Sequence, residues 1–548
     1  MNPLASTKCA ARLLMALAAV SGLFLTAGCG SSSSKTATNP QGFSVASLNG
    51  TYVISISGTN VDGSGNVDPF AIAGTITADG NGHIKGGTLD INDPYNTGVY
   101  TGANAVSVSP GTYTVGEDGR PTTPVTIATS AVTFHIDFVL TSASHGLITV
   151  FDTGATASGT MDLQTAVTSL TGSYAFSLSG VDSSANPLGT VGAFTISSSN
   201  IAGTEDFNDD ATSGTGYTGL SLTGQLALDT SGAFWDAQLN TPVPITSLTS
   251  LGFDVWVIDS THLKFIEDDA TGNILAGDAF TQVTSISAGQ LVFTLGGIDG
   301  TGNPVVAGGY ATTDTNGDLT NGFEDYNNTG SVGSGKPFST TAATCVASTG
   351  RCQLTLNGFS NGTSSPPSTF VIYPSSGGGL TLEIDSNGAG LLQGASYTQS
   401  ATSFSAAGYG LNLTGDNSNG EVDDIAEFAA TTAAAPAINM TGNLDENNLE
   451  TDQLTAALSG TYTPDAVTPA DGRGSISVTT KGTFLGGLTL QYYVVNSSTA
   501  VFIEVDSGQL GVGTFEAQSP PTSQVAAGHN AMFMVRPLAH PHAAARKK

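Results

Sequence analysis

The stretch Gly203-Thr-Glu-Asp206-Phe-Asn208 contains a pattern, Gly-x-x-Asp-x-Asn, that occurs four times along the chain. The other copies begin at Gly87, Gly322 and Gly442. Successive aspartates of the pattern lie 116, 119 and 120 residues apart. A regular interval of this length is typical of tandem domains.

A recurring glutamine gives the same period independently. It stands at Gln164, Gln282, Gln399 and Gln518, with intervals of 118, 117 and 119 residues. Because two unrelated markers agree, we infer four copies of one unit, numbered 1 to 4, each about 118 residues long.

Within a unit, apolar and polar residues alternate. Tyr174, Phe176 and Leu178 alternate with small or hydroxyl-bearing side chains, as expected of half-buried antiparallel strands. Turn signals recur about every 8 to 12 residues, which gives about eight strands per unit. The sequence therefore predicts an all-β protein, and an up-and-down barrel is favoured over a Greek-key sandwich because closure removes exposed edges. Two Ala-rich stretches of unit 4, 424–435 and 449–458, are the best candidates for helix.

Composition narrows the function classes. Charged residues make up 11% of the 548-residue chain, against roughly 25% in an ordinary soluble domain. The chain has 44 acidic and 14 basic residues, a formal net charge of −30. Such a chain repels phosphate backbones, so we expect no nucleic-acid partner.

The N-terminus predicts export. Lys8 and Arg12 precede an apolar run from Leu13 to Gly28, which is too short to span a bilayer comfortably and is typical of a secretory signal peptide. The sequence Leu25-Thr-Ala-Gly-Cys29 resembles a bacterial lipobox, although Thr26 stands where Leu is more usual. The resemblance implies lipid attachment at Cys29, removal of the signal, and a location at the outer membrane or cell surface.

These signals divide the chain into seven segments. We predict a lipoprotein signal peptide (1–28), a Gly/Ser-rich tether (29–46), β-domains at 47–164, 169–282, 287–399 and 404–518, and a C-terminal tail (519–548). The pattern as a whole resembles tandem β-repeat surface lipoproteins of bacteria, a group without an assigned activity, so the resemblance implies no site residues.

Only two cysteines lie within the repeats. Cys345 and Cys352 are separated by a turn-like spacer containing Gly350. In an exported protein this arrangement predicts a disulfide-closed hairpin. A zinc site would need further ligands, and no histidine lies near in the sequence.

Two kinds of acidic pattern are candidates for chemistry. Alternating oxygen-bearing residues resemble the start of a calcium loop at Asp79 and Asn81 and at Asp314, Asn316 and Asp318, although neither completes the pattern and turns look similar. Carboxylate pairs at Glu267/Asp269, Glu383/Asp385 and Glu504/Asp506 have the spacing of glycosidase acids. Their recurrence favours a structural role, so we expect no enzyme, with glycoside processing the weakest alternative.

The two tryptophans, Trp235 and Trp256, both fall in unit 2. Exposed, they would be candidates for ligand binding by stacking on sugar rings, whereas two tryptophans in one β-domain are more often core residues. The leading functional hypothesis is a lipid-anchored surface module for adhesion or polysaccharide binding, in which repeated units multiply weak contacts. A periplasmic barrel that binds a small ligand is the runner-up, and a purely structural role stays open.

Overall fold

The computed structural model describes residues 42–94, 105–210, 215–360, 368–376, 378–385, 390–404, 408–431, 438–449, 452–466, 470–481 and 487–520. Their regular structure is almost entirely antiparallel strand, together with two short 3-10 helices at Val45–Ser47 and Thr246–Leu248. The all-β prediction is confirmed. Cys29, most of the predicted tether and most of the predicted tail lie outside the described residues. The end of the predicted tether belongs to the folded unit instead, since Phe43 is buried in the core of unit 1.

Unit 1 forms a half-open barrel. Its strands run in the order β4-β3-β2-β1-β9-β8-β7-β6, while β5 also pairs with β3. A single bridge between Val108 and Thr129 spans the seam beside β6. The strands are β1 (Asn49–Val61), β2 (Val67–Asp79), β3 (His83–Asn92), β4 (Val106–Ser107), β5 (Gly111–Thr112), β6 (Val125–Ala128), β7 (Thr133–Leu140), β8 (His145–Asp152) and β9 (Ala155–Leu163).

Units 2, 3 and 4 are closed eight-stranded barrels in which each strand pairs with its neighbours along the chain and the last pairs with the first. Unit 2 contains β10 (Gly172–Val181), β11 (Pro187–Ser197), β12 (Asn200–Asp209), β13 (Thr215–Leu228), β14 (Trp235–Asn240), β15 (Ser250–Asp259), β16 (His262–Glu267) and β17 (Ile274–Thr281). Unit 3 contains β18 (Gly289–Asp299), β19 (Pro304–Thr313), β20 (Leu319–Asn328), β21 (Ser331–Cys345), β22 (Cys352–Asn357), β23 (Ser368–Ser375), β24 (Gly378–Glu383) and β25 (Gly390–Thr398). Unit 4 contains β26 (Gly408–Asn417), β27 (Gly420–Thr431), β28 (Ile438–Asn447), β29 (Asp452–Pro464), β30 (Arg473–Lys481), β31 (Leu488–Asn496), β32 (Thr499–Val505) and β33 (Gln509–Ala517).

The barrel prediction is therefore confirmed over the sandwich, whereas the two helix predictions are wrong. Strand β27 covers most of the first Ala-rich stretch, and β29 covers most of the second. In β27, Ala426 and Phe428 enter the barrel core while Ile425 packs against unit 1. Alternate residues of this strand are buried on its two faces, and the stabilisation from that burial outweighs the helix propensity of alanine.

Aromatic and branched side chains fill the barrel interiors. In unit 2, Phe176, Phe194, Phe253 and Phe265 pack together with ring centroids 5.6–6.2 Å apart. Each fully buried ring of this size contributes about 2–3 kcal/mol by leaving water. The interiors are thus packed cores formed by the inward-facing half of the alternating pattern.

The units, which belong to one compact body, pack in a closed cycle. Strands one to three of each unit face strands six to eight of the next, as β11 faces β24 and β19 faces β32, and strands β26 and β27 of unit 4 contact β7 to β9 of unit 1. Further apolar clusters fill these contacts, such as one that joins Val53 and Ala71 of unit 1 to Trp256 of unit 2. The chain therefore forms a ring of four barrels, with the inner strands buried on both faces.

Candidate functional site

The asparagine of each Gly-x-x-Asp-x-Asn motif binds the next unit of the ring. Its buried side-chain amide donates hydrogen bonds to backbone carbonyls near the hairpin that joins strands seven and eight of that unit. The bonds run from Asn92 to the carbonyls of Glu267 and Asn273, from Asn208 to those of Glu383 and Gly390, from Asn327 to those of Glu504, Asp506 and Gln509, and from Asn447 to those of Val150, Asp152 and Ala155, at 2.7–3.2 Å. The fourth set joins unit 4 to unit 1, so the motif closes the ring.

The aspartate of the motif accepts hydrogen bonds from the same neighbour. Asp206 receives Nε and Nη2 of Arg351 at 2.8 and 2.6 Å, together with the hydroxyl of Tyr373 at 2.6 Å. Asp325 receives Arg473 and Tyr493 in the same arrangement. Such a buried pair is costly to break, because removal of one partner leaves the other charge buried and uncompensated.

A glycine positions each of these arginines. In every unit it precedes the equivalent position and has a positive φ, a conformation that other residues adopt only with strain. The four glycines are Gly119 (φ 87°), Gly232 (φ 74°), Gly350 (φ 69°) and Gly472 (φ 83°). Arg120, Arg351 and Arg473 follow three of them, and Ala233 follows the fourth.

The recurring glutamine also lies between units. Gln164 donates to the carbonyl of Val257 at 2.8 Å, and Gln282 donates to that of Thr349. Gln399 binds the carbonyls of Asp471 and Val494, and Gln518 binds those of Asp118 and Leu140. Both sequence markers are thus contacts between units.

The contact between units 1 and 2 uses different chemistry. Asp90 accepts the indole N–H of Trp256 at 2.6 Å, and Ala233 occupies the arginine position. Asp254 faces Asp90, and no basic side chain of the described residues pairs with it. Burial raises the pKa of Asp254 to about 10 and that of Asp90 to about 7. At neutral pH this contact therefore favours a protonated Asp254, which removes the repulsion between the two carboxyl groups.

At the ring axis the units contribute unlike residues at one equivalent position, two residues before the marker glutamine. They are Asp162, Phe280, Tyr397 and Glu516. The imidazole of His145 lies 2.6 Å from Asp162 and 3.3 Å from Glu516 of unit 4. Burial alone would lower the pKa of His145, but these two carboxylates outweigh it and raise the pKa to about 10. His145 is thus a charged link between units 1 and 4.

A second ion pair lies beside this link. Lys264 is 2.6 Å from Asp278, and His262 is also 2.6 Å from that carboxylate. All three groups belong to unit 2, and Tyr397 of unit 3 is close enough for Asp278 and Glu516 to raise its pKa after the larger effect of burial. Residues from all four units therefore meet in one buried polar cluster.

The recurrent carboxylate pairs have a structural explanation. The second member of each pair accepts a backbone N–H near the start of strand six of its unit: Asp269 from Gly252, Asp385 from Thr369 and Asp506 from Thr489. In unit 1, Asp152 accepts that of His135 in β7 in the same way, although Val150 stands where the first carboxylate would be. The first member is buried in the barrel interior; Glu504 is 0% exposed. Burial, followed by the neighbouring Asp506, raises the pKa of Glu504 to about 8. A residue so enclosed does not meet a polysaccharide, which argues against the glycoside-processing alternative.

Described cavities inside units 1 and 3 leave little room for a ligand. The cavity in unit 1, lined by Tyr52, Ile54 and Phe138 among others, has a volume of about 30 Å³. That in unit 3, lined by Phe293, Phe338 and Phe359 among others, has about 40 Å³. Pockets for small ligands are typically about 300–1,000 Å³, so neither cavity fits one.

The tryptophans do not form a stacking surface. Trp256 is 0% exposed and packs against Phe234 with ring centroids 5.0 Å apart. Trp235 is half-buried and packs against the core of unit 2. The stacking role considered for Trp256 is therefore wrong, because the contact between units 1 and 2 covers its ring.

The calcium candidates lie in two turns whose carboxylates are already engaged. Asp79 accepts the backbone N–H groups of Asn81 and His83 at 2.8 and 3.1 Å. Asp314 accepts those of Asn316 and Asp318 at 2.8 and 3.0 Å. Among the described residues, no group of three or more His, Cys, Asp or Glu side chains is arranged to hold a metal ion.

The structure joins Cys345 and Cys352 by a disulfide across β21 and β22.

The residues missed by sequence reasoning are the arginines and the axial group around His145. Three of the four units carry Gly-Arg at one position, at Gly119, Gly350 and Gly472. This recurrence was the signal that could have revealed the arginines.

No protein-family model matches the sequence, and a search of curated proteins gives no match. Among solved structures, the chain is similar to a crystal structure of a protein from Nitrosomonas europaea described as AttH, at 9% identity over 64% of this chain and 91% of that one. The TM-score is 0.16, so this likeness carries no argument. Within the described part of the chain, no helix has the length and apolar character needed to cross a membrane.

Proposed function

We propose that the protein is an exported, lipid-anchored module of the outer membrane or cell surface whose ring of barrels binds polysaccharide or another surface ligand on its outside. The observation that carries the proposal is the distribution of buried surface. Core side chains fill the barrel interiors, neighbouring units cover the inner strands, and strands such as β21 are exposed along most of their length. Ligands would therefore bind the outer rim.

Three features support the location and the rigid design. The signal sequence and the lipobox-like Leu25-Thr-Ala-Gly-Cys29 favour lipid attachment, and more than one acyl chain can anchor a protein stably without a spanning helix. The Gly30–Ser34 stretch suits a flexible tether. Contacts between units from the first to the fourth favour a rigid body, on which several binding surfaces would keep fixed distances.

Labelling with a radioactive fatty acid in a bacterial host tests the anchor. The wild-type chain is expected to incorporate label and sediment with the outer membrane. The Cys29→Ala variant is expected to lose the label and leave the membrane fraction. Label retained by the variant, or an unlabelled wild type, would contradict lipid anchoring at Cys29.

Binding of the Cys29→Ser protein to polysaccharide gels tests the second part of the proposal. Retardation by at least one polysaccharide, in the same way with calcium or with a chelator, is the expected result. Migration unchanged by every polysaccharide would overturn polysaccharide binding and leave a structural role.

A further inference from the structure

An outward-facing apolar row distinguishes unit 3 from the other units. Tyr310, Phe323 and Pro337 lie directly opposite one another on the neighbouring strands β19, β20 and β21. We call these three residues the aromatic strip. Phe323 is 37% exposed, Pro337 is exposed and Tyr310 is half-buried. The rings of Tyr310 and Phe323 lie 5.5 Å apart at an angle of 35°.

The strip does not recur. The equivalent rows are Thr75, Thr88 and Ser107 in unit 1, Ala193, Thr204 and Ser221 in unit 2, and Glu427, Asn443 and Ala457 in unit 4. The scaffold therefore does not require aromatic residues at these positions. An exposed Phe beside a Tyr contributes little to folding, since burial provides the stabilisation.

Polar groups border the strip. Tyr310 interacts with Asp471 and Asp465 of unit 4, and Arg473 of the same unit donates a hydrogen bond to Ser334 at 3.0 Å. The strip thus presents flat apolar faces with carboxylate acceptors and hydroxyl groups beside them. Sugar rings need this combination, because their C–H faces stack on flat apolar side chains while their hydroxyl groups bond at the edges.

We propose that the aromatic strip of Tyr310, Phe323 and Pro337 binds a neutral polysaccharide by stacking on its sugar rings. The proposal deepens the proposed polysaccharide binding and rests on it. Three side chains across three strands span about 10 Å, because neighbouring strands lie about 4.8 Å apart. That length matches about two sugar rings. Three residues are also far fewer than the roughly 20–30 that each partner contributes to a stable protein complex.

Charge selects a neutral chain over an anionic one. The protein has a formal net charge of −30, and Asp465 and Asp471 lie next to the strip. An anionic polysaccharide would be repelled as it approached, whereas stacking of an uncharged ring involves no Coulomb repulsion.

The test is affinity electrophoresis of the full chain carrying Cys29→Ser, through gels containing xylan, mannan, β-1,3-glucan, hydroxyethylcellulose or anionic alginate. At least one neutral polymer is expected to retard the protein, and alginate is not. Phe323→Ala is expected to weaken that binding at least tenfold, and Phe323→Trp to preserve it. Thr204→Ala, at the equivalent position of unit 2, is the matched control and is expected to bind as the wild type does.

Pro337→Ser, at an exposed position, gives an independent readout should Phe323→Ala unfold, and circular dichroism checks both variants. If a neutral polymer binds wild type, folded Phe323→Ala and Pro337→Ser equally, the strip assignment is wrong while polysaccharide binding stands. If no polymer binds the wild type, both proposals fail. If alginate alone binds it, the strip assignment is wrong while polysaccharide binding stands. Sedimentation showing self-association that Phe323→Ala abolishes would make the strip a contact between copies and overturn the assignment.

Discussion

The contact between units 1 and 2 and the contact between units 2 and 3 join equivalent strands, but the buried aspartate is neutralised by an arginine in only one of them. In the second, Arg351 neutralises Asp206 with two hydrogen bonds. In the first, the indole of Trp256 binds Asp90, and within the described part of the chain the nearby Asp254 has no cationic partner. The comparison shows that the repeat keeps a buried aspartate at this position. Its charge can be compensated by an arginine, it can accept an indole N–H, or the carboxyl group can be protonated.

The largest expected effect is on the contact that uses a cation. Arg351→Met leaves Asp206 buried without its partner, so we expect the free energy of unfolding to fall by about 3–5 kcal/mol. Denaturant unfolding measures this loss. The exposed Lys85→Met is the control and should change stability by less than about 0.5 kcal/mol. Equal stability of both variants would show that the pair between units 2 and 3 contributes nothing.

The contact without a cation should respond to pH. Raised carboxyl pKa values mean that the folded state keeps protons which the unfolded chain releases above its ordinary value of 3.8. Stability is therefore fully present below pH 3.8 and is lost as pH rises through 7 and towards 10. We therefore expect the Tm to fall between pH 5 and pH 8.5, as the folded protein is driven to release these protons. Asp254→Asn should reduce this fall, and a variant with an unchanged pH dependence would contradict protonation of the pair.

The contact between units 4 and 1, which closes the ring, depends on an uncharged donor, the side-chain amide of Asn447. Asn447→Ala removes three hydrogen bonds to carbonyls of unit 1. We expect it to cost about 2 kcal/mol, because buried carbonyls are left without their donor. Calorimetry together with hydrogen exchange of β8 and β9 would detect the loss. Asn81→Ala, in an exposed turn, should leave both measurements unchanged.

The smallest effect should come from the indole. Trp256→Phe keeps an aromatic ring between units 1 and 2 but removes the donor to Asp90. Because that carboxyl has a raised pKa and is readily protonated, we expect a loss of only about 1 kcal/mol at pH 6. Denaturant midpoints at pH 6 would check the value, and a loss as large as that of Arg351→Met would show that the two contacts are not different in kind.

The barrel fold was predictable because strand periodicity and turn residues are local properties. The alternation around Tyr174 and the repeat of Asp206 sufficed for an all-β tandem protein, and edge closure favoured barrels. The Ala-rich 424–435 stretch misled the prediction, since its local helix propensity says nothing about the unit 1 side chains that cover Ile425.

The residues that join the units could be recognised in the sequence, but their role could not be inferred from it. Asn208 and Gln282 recur at a regular interval, yet only the folded chain brings them against carbonyls of another unit. His145 was visible as one of few histidines, but its pairing with Glu516 joins positions hundreds of residues apart. The placement of Trp256 was ambiguous for the same reason, because its exposure depends on whether unit 1 covers it.

The sequence by itself determined the number of units, the strand-rich fold, the acidic character and the candidate export signal, because composition, periodicity and short motifs are read along the chain. Only the tertiary structure decided that the units close into a ring and that the repeated motif joins them. It also decided which side chains face outward. The physical reason is that hydrogen bonding and burial depend on neighbours brought together by folding, and the aromatic strip of unit 3 is apparent only when three strands lie side by side.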